Sequence, residues 1–218
     1  MKAATALTIA GTLGAAALIG VATASSAYAL DPLKSVSSGH VDLTEVECEL
    51  DGGDALLEVG THIDGNSPSE HVAPGNTDGV DDIGDYAFVH TIGEAGLTYS
   101  AGAYVVSDSS IVEEGLPFVG FSYDEEGACV GAENAPSVEI DVRAASGANP
   151  GDVTVATSGS GATSTADSGR IALSPGSHQH AVWTFEGPAT GGSYALSFDV
   201  YADGVLLDTI TPRAFVIE

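Results

Sequence analysis

The sequence predicts an all-β protein, an antiparallel β-sandwich of the immunoglobulin-like or jelly-roll-like kind. Three observations carry this. Beyond residue 30, apolar side chains recur at every second position in short runs, the period of a half-buried strand. Turn-forming clusters separate those runs at close spacing. No stretch there carries the 3.6-residue period of an amphipathic helix.

Taken in order, Ala55 to Thr61 is the first strong strand, followed by Tyr86 to His90 and Ala103 to Ser107. Phe118 to Tyr123 is a fourth. Val138, Ile140 and Val142 alternate with Glu139, Asp141 and Arg143. Asp152 to Ala156, Arg170 to Leu173 and Ala181 to Phe185 continue the series. Tyr194, Leu196, Phe198 and Val200 alternate with smaller or polar residues, and Val205 to Ile210 and Ala214 to Ile217 complete it. Asp51-Gly52-Gly53-Asp54, Asn149-Pro150-Gly151 and Asp203-Gly204 supply turn chemistry between them. Asp64 to Gly84, with Pro68 and Pro74, and Ser158 to Ser168 are expected to be loops. Residues 134–137 mark a short sub-boundary within one unit spanning 30–218.

The first 29 residues are expected to be an address and not part of the fold. Lys2 precedes a small apolar run, and Ala27-Tyr28-Ala29 gives a small-x-small site, so cleavage is expected after Ala29. A retained membrane anchor is the alternative. Gly11, Gly14, Gly20 and the cleavage site argue against it, so no membrane association is expected after processing. The mature chain would carry 31 acids against four bases, a formal charge of −27. That surface repels nucleic acid and anionic lipid and attracts cations.

Cys48 and Cys129 are the only cysteines. In an exported chain an even count predicts a disulfide between them, and two cysteines allow one connectivity. A pair of metal thiolates is the alternative, disfavoured because no C-x-x-C spacing occurs.

The histidines carry the sharpest chemical signal. His178-Gln179-His180 runs directly into Ala181 to Phe185. On a strand, His178 and His180 share one face while Trp183 and Phe185 occupy the other, the expected core face. A rigid H-x-H pair suits two ligands on one metal ion. His40, freed by the preceding Gly39, is the candidate third ligand, and Asp42 is expected to orient an imidazole. The bland alternative is that these imidazoles only brace neighbouring loops. His90 ends an apolar strand and reads as structural, whereas His62 and His71 flank a polar loop and read as solvated. The acidic run Asp78 to Asp85 lacks the register of a calcium loop and reads as solvated too. No metalloprotease, nucleophile-elbow, P-loop or dinucleotide motif occurs, so an enzyme is not expected.

Ser38-Gly39-His40-Val41-Asp42-Leu43, followed by Gly53 to Val59, resembles the opening of the actinobacterial surface proteins called choice-of-anchor M domain proteins. Ser177-His178-Gln179-His180-Ala181-Val182-Trp183-Thr184-Phe185, then Gly192 to Phe198, resembles that family's wall-repeat signature. Tyr86 to Val89 and Gly115 to Ser122 match its middle section more loosely, so the resemblance covers most of residues 36 to 202. His40, His178 and His180 fall on the family's recurring histidines. The resemblance implies a cell-surface protein, accessory to metal uptake by an ABC transporter, whose partner is a solute-binding component or a cell-wall component. Departing from the family, the end at Glu218 shows no sorting motif, apolar tail or basic stop, so a secreted or non-covalently held form is expected. Zn²⁺ is the first expectation for the cofactor, although copper and haem iron also accept imidazole. The second expectation is a structural or adhesive cell-wall module with no metal role.

Overall fold

Alternation places most of the strands where they form. The computed structural model describes residues 34–51, 54–63, 70–72, 83–106, 116–123, 127–132, 135–145, 149–157, 161–212 and 214–218. Met1 to Ala29, with the expected cleavage site, lies outside the described residues, as do most of the acidic run, Asp78 to Asp82, and positions 133 and 134. The strands are β1 (Lys34–Val36), β2 (Gly39–Asp51), β3 (Asp54–Ile63), β4 (Glu70–Val72), β5 (Tyr86–His90), β6 (Leu97–Ser100), β7 (Ala103–Val106), β8 (Pro117–Tyr123) and β9 (Val138–Ala144). They continue as β10 (Val153–Thr157), β11 (Gly161–Ser164), β12 (Ile171–Leu173), β13 (Ser177–Glu186), β14 (Gly192–Tyr194), β15 (Leu196–Ala202), β16 (Val205–Ile210) and β17 (Ala214–Ile217). A 3-10 turn, Ile83–Asp85, precedes β5. Among the described residues no helix is long and apolar enough to cross a membrane.

The all-β sandwich-like fold is built from three sheets. One runs β1-β5-β17-β14 and another β12-β9-β15-β16. The largest runs β11-β10-β13-β8-β2-β3-β4, with β7 also on β13 and β6 on β7. Most pairings are antiparallel, but β1 with β5, β17 with β5, and β2 with β8 are parallel. Strands from before and after residues 134–137 pair edge to edge, since β13 hydrogen-bonds to both β7 and β8. The described residues all belong to one compact unit, Asp31–Glu218.

An aromatic cluster joins the three sheets. Trp183 of β13 lies 4.9 Å from Phe215 of β17 and 5.9 Å from Phe198 of β15, ring centre to ring centre. Phe185 packs beside Tyr194 of β14 at 5.1 Å. All five are fully buried. The indole N–H donates to the Val119 carbonyl at 2.9 Å. That bond matters because β13 pairs with β8 only over Ser177 to His180 and then turns to β7. The indole satisfies a buried carbonyl where the two strands part.

Cys48 and Cys129 are joined in a disulfide, with Cα atoms 5.8 Å apart. It ties β2 to the turn that leads from β8 towards β9.

The structure corrects several element expectations. The loop expected over Ser158 to Ser168 contains β11, which pairs with β10. The loop expected over Asp64 to Gly84 contains β4, which pairs with the end of β3. The longest strand, β2, is absent from the strands read from alternation, because its apolar phase breaks between Leu43 and Val46. A bulge there admits an extra residue and shifts the parity of the later strand positions.

Candidate metal centre

The site is assembled on the start of β2. Gly39 adopts a left-handed φ of 93°, which sets the chain into the strand at a cost few other residues avoid. His40 and Asp42 come next, two residues apart and on one face. The bulge lies directly after Asp42: Leu43 and Thr44 together oppose only Thr61 on β3, and Leu43 drops out of register with β8. The Leu43 carbonyl accepts a bond from the Thr61 hydroxyl at 2.7 Å. The irregular backbone is thereby satisfied and Asp42 is held where the strand twists.

The H-x-H pair arrives on β13, two strands away. As alternation predicts, Ala181, Trp183 and Phe185 are buried while His178 and His180 are half-buried. The strand between, β8, sets the approach. Gly120 is the register partner of Asp42 on one side and of His180 on the other. Residues in one row of a sheet project to one face, so this row leaves a gap between an acid and an imidazole. A Cβ on Gly120 would come within 2.6 Å of the Gln179 carbonyl oxygen, so the close approach of β13 requires glycine. Phe118, opposite His40 in register, stacks on the His180 ring at 3.6 Å and 19°. That contact fixes the imidazole plane.

The three imidazoles that the sequence singles out converge. His40 Nε2 lies 2.8 Å from His178 Nε2. Ring centres are 4.8 Å apart for His178 and His180, and 5.5 Å for His40 and His180. Each offers a ligand nitrogen, and those atoms lie within 4.8 Å of one another, so the group can hold a metal ion. Asp42 joins them from below: its Oδ1 is 3.0 Å from His178 Nε2 and 3.5 Å from His40 Nε2. The carboxylate is almost fully buried, at 5% side-chain exposure, against 25% for each of these two imidazoles.

His62 and His90 are not members of this group. His62 occupies the same register row beside Asp42, and its Nδ1 faces Glu45 Oε1 at 3.6 Å. His71 pairs with His62 through the backbone of β4. His90 is fully buried and packs near Phe185 at 6.0 Å. Burial pushes its pKa down to about 4, against a smaller opposing pull from the Pro117 backbone. His90 is therefore a neutral core side chain with no role in the cluster.

Two contributors escape the sequence reading: Phe118 as a ring platform and Gly120 as a spacer. Both lie in an apolar run whose pattern signals only a buried strand. Comparison with family models, with curated proteins and with solved structures finds no match to this chain, so the case for a site rests on its geometry.

Proposed function

We propose that this chain is a secreted, surface-associated, non-enzymatic protein that binds Zn²⁺ through His40, His178 and His180. The observation that carries the reading is convergence. Residues 138 positions apart in sequence bring their imidazole nitrogens to 2.8 Å. Neutral imidazole is a good ligand for zinc, and several within reach of one point are the usual beginnings of a zinc site. The resemblance to choice-of-anchor M domain proteins supports a role beside an ABC metal importer, with its solute-binding component as the partner. The strongly acidic composition supports the same reading, because it concentrates cations near the surface without choosing among them.

One observation favours a second reading. The 2.8 Å His40–His178 contact is also the length of a direct imidazole hydrogen bond, which would brace β2 against β13 without any ion. The chain would then be a structural or adhesive module that contacts a cell-wall component.

Calorimetric titration of the mature chain with Zn²⁺ separates the two. The metal reading expects saturable one-to-one binding that disappears in the His178→Ala/His180→Ala double variant. Absent binding, or binding that survives in the variant, would leave the bracing role.

A further inference from the structure

Resting on the zinc reading above, we infer that Asp42 is the fourth ligand, closing the three-histidine group into a four-coordinate site of three nitrogens and one oxygen. Sequence position alone casts Asp42 as a carboxylate that orients an imidazole from behind. Such a carboxylate meets the ring nitrogen that points away from the metal. Here Asp42 Oδ1 approaches Nε2 of both His40 and His178, the same two atoms that face each other. It stands beside the metal-facing side of two of the three imidazoles.

The spacing fits one ion. Zinc bonds of about 2.0–2.1 Å in a tetrahedron set neighbouring donor atoms about 3.3 Å apart. The three donor separations among His40, His178 and Asp42 are 2.8, 3.0 and 3.5 Å. His180 lies on the other side of Gly120 from Asp42 in register, and its ligand nitrogen comes within 4.8 Å of those of His40 and His178. Donors at right angles around an octahedral or square-planar ion of the same bond length lie about 2.9 Å apart, so the spacing fits one shared ion and the four-coordinate assignment rests on the number and kind of protein donors.

Charge points the same way. A buried carboxylate is costly as an anion unless a cation meets it. Imidazoles serve as metal ligands only when neutral, so in a metal-bound site a divalent ion would offset the Asp42 charge directly. The site is then saturated by protein atoms. It holds zinc tightly and offers no open position for an activated water, which suits capture and retention rather than hydrolysis.

Cobalt(II) substitution tests the coordination directly. The mature wild-type chain loaded with Co²⁺ should give the intense visible bands of a four-coordinate ion. X-ray absorption of the zinc form should fit three imidazoles and one oxygen. In Asp42→Asn the cobalt bands should weaken and shift, with zinc affinity falling by more than about 100-fold, beyond the usual contribution of an outer carboxylate. Unchanged cobalt bands in Asp42→Asn, with a loss of only about 10-fold, would overturn the inference and leave three-histidine binding intact. A weak, six-coordinate spectrum in the wild type would overturn it even if the variant does not fold. No binding by the wild type, or undiminished binding by His178→Ala/His180→Ala, would instead remove the zinc reading on which it rests.

Discussion

The two halves of β13 do different work. From Ala181 to Glu186 the strand lies between β10 and β7, and its inward side chains are locked in the aromatic cluster. From Ser177 to His180 it pairs with β8 alone of the strands described, and its side chains are half-buried. In the first half, position is enforced by packing on every side. In the second, position is inherited: the histidines stand where the core half and Gly120 put them. A functional group can thus be placed to within ångströms at a sheet margin without carrying the stability of the fold.

Trp183→Ala should break the comparison most severely. It empties a large buried volume and strips the Val119 carbonyl of its donor, together worth about 5 kcal/mol. Urea denaturation should show that loss, and any zinc binding should weaken in parallel because β13 and β8 lose their shared anchor.

The core half also has a histidine beside it, and it should behave as the reverse of the cluster. His90 has a folded pKa of about 4 against an ordinary 6.5. Between those values the unfolded chain takes up a proton that the folded chain refuses. Stability therefore falls as pH drops through that window and the loss is complete below about pH 4, at roughly 3 kcal/mol. Unfolding curves for wild type and His90→Gln should diverge over that range by this amount, with the wild type losing more. Equal pH dependence would mean that His90 is not sealed in the core.

The polar half should yield the smallest changes. Without metal, His178→Ala/His180→Ala should shift unfolding free energy by under about 1 kcal/mol, since both rings are half-buried. With zinc at about 100 times its dissociation constant, the wild type should gain about 2.7 kcal/mol and the variant nothing. Thermal melts with and without zinc read this difference.

The strand class of the protein is legible in its alternation, and so is the division of β13 into two faces, because nothing interrupts its period between Ser177 and Glu186. β2 is not legible, since the bulge after Asp42 reverses its parity. The candidate ligands are visible individually, but their meeting depends on parallel pairing of β2 with β8, a contact between residues far apart in the chain. Local periodicity does not encode such register. The same gap hides Asp42: whether a carboxylate stands behind an imidazole or beside the nitrogen that faces a second imidazole is decided by a neighbouring strand. Gly120 fails for a simpler reason, since a glycine in a strand announces a close approach without naming the approaching group.

The disulfide has a consequence for chain topology. His40 and His178 bracket a stretch of 138 positions, and the Cys48–Cys129 link lies wholly inside it. A bound ion would therefore be the outer of two nested staples, and the inner, covalent one removes 81 positions from the path the outer one has to close. Shortening that path lowers the entropy of closure by about 0.8 kcal/mol. With an ion bound, the oxidised chain would reach that geometry from a smaller set of unfolded conformations, and the permanent staple would serve as a preparation for the removable one.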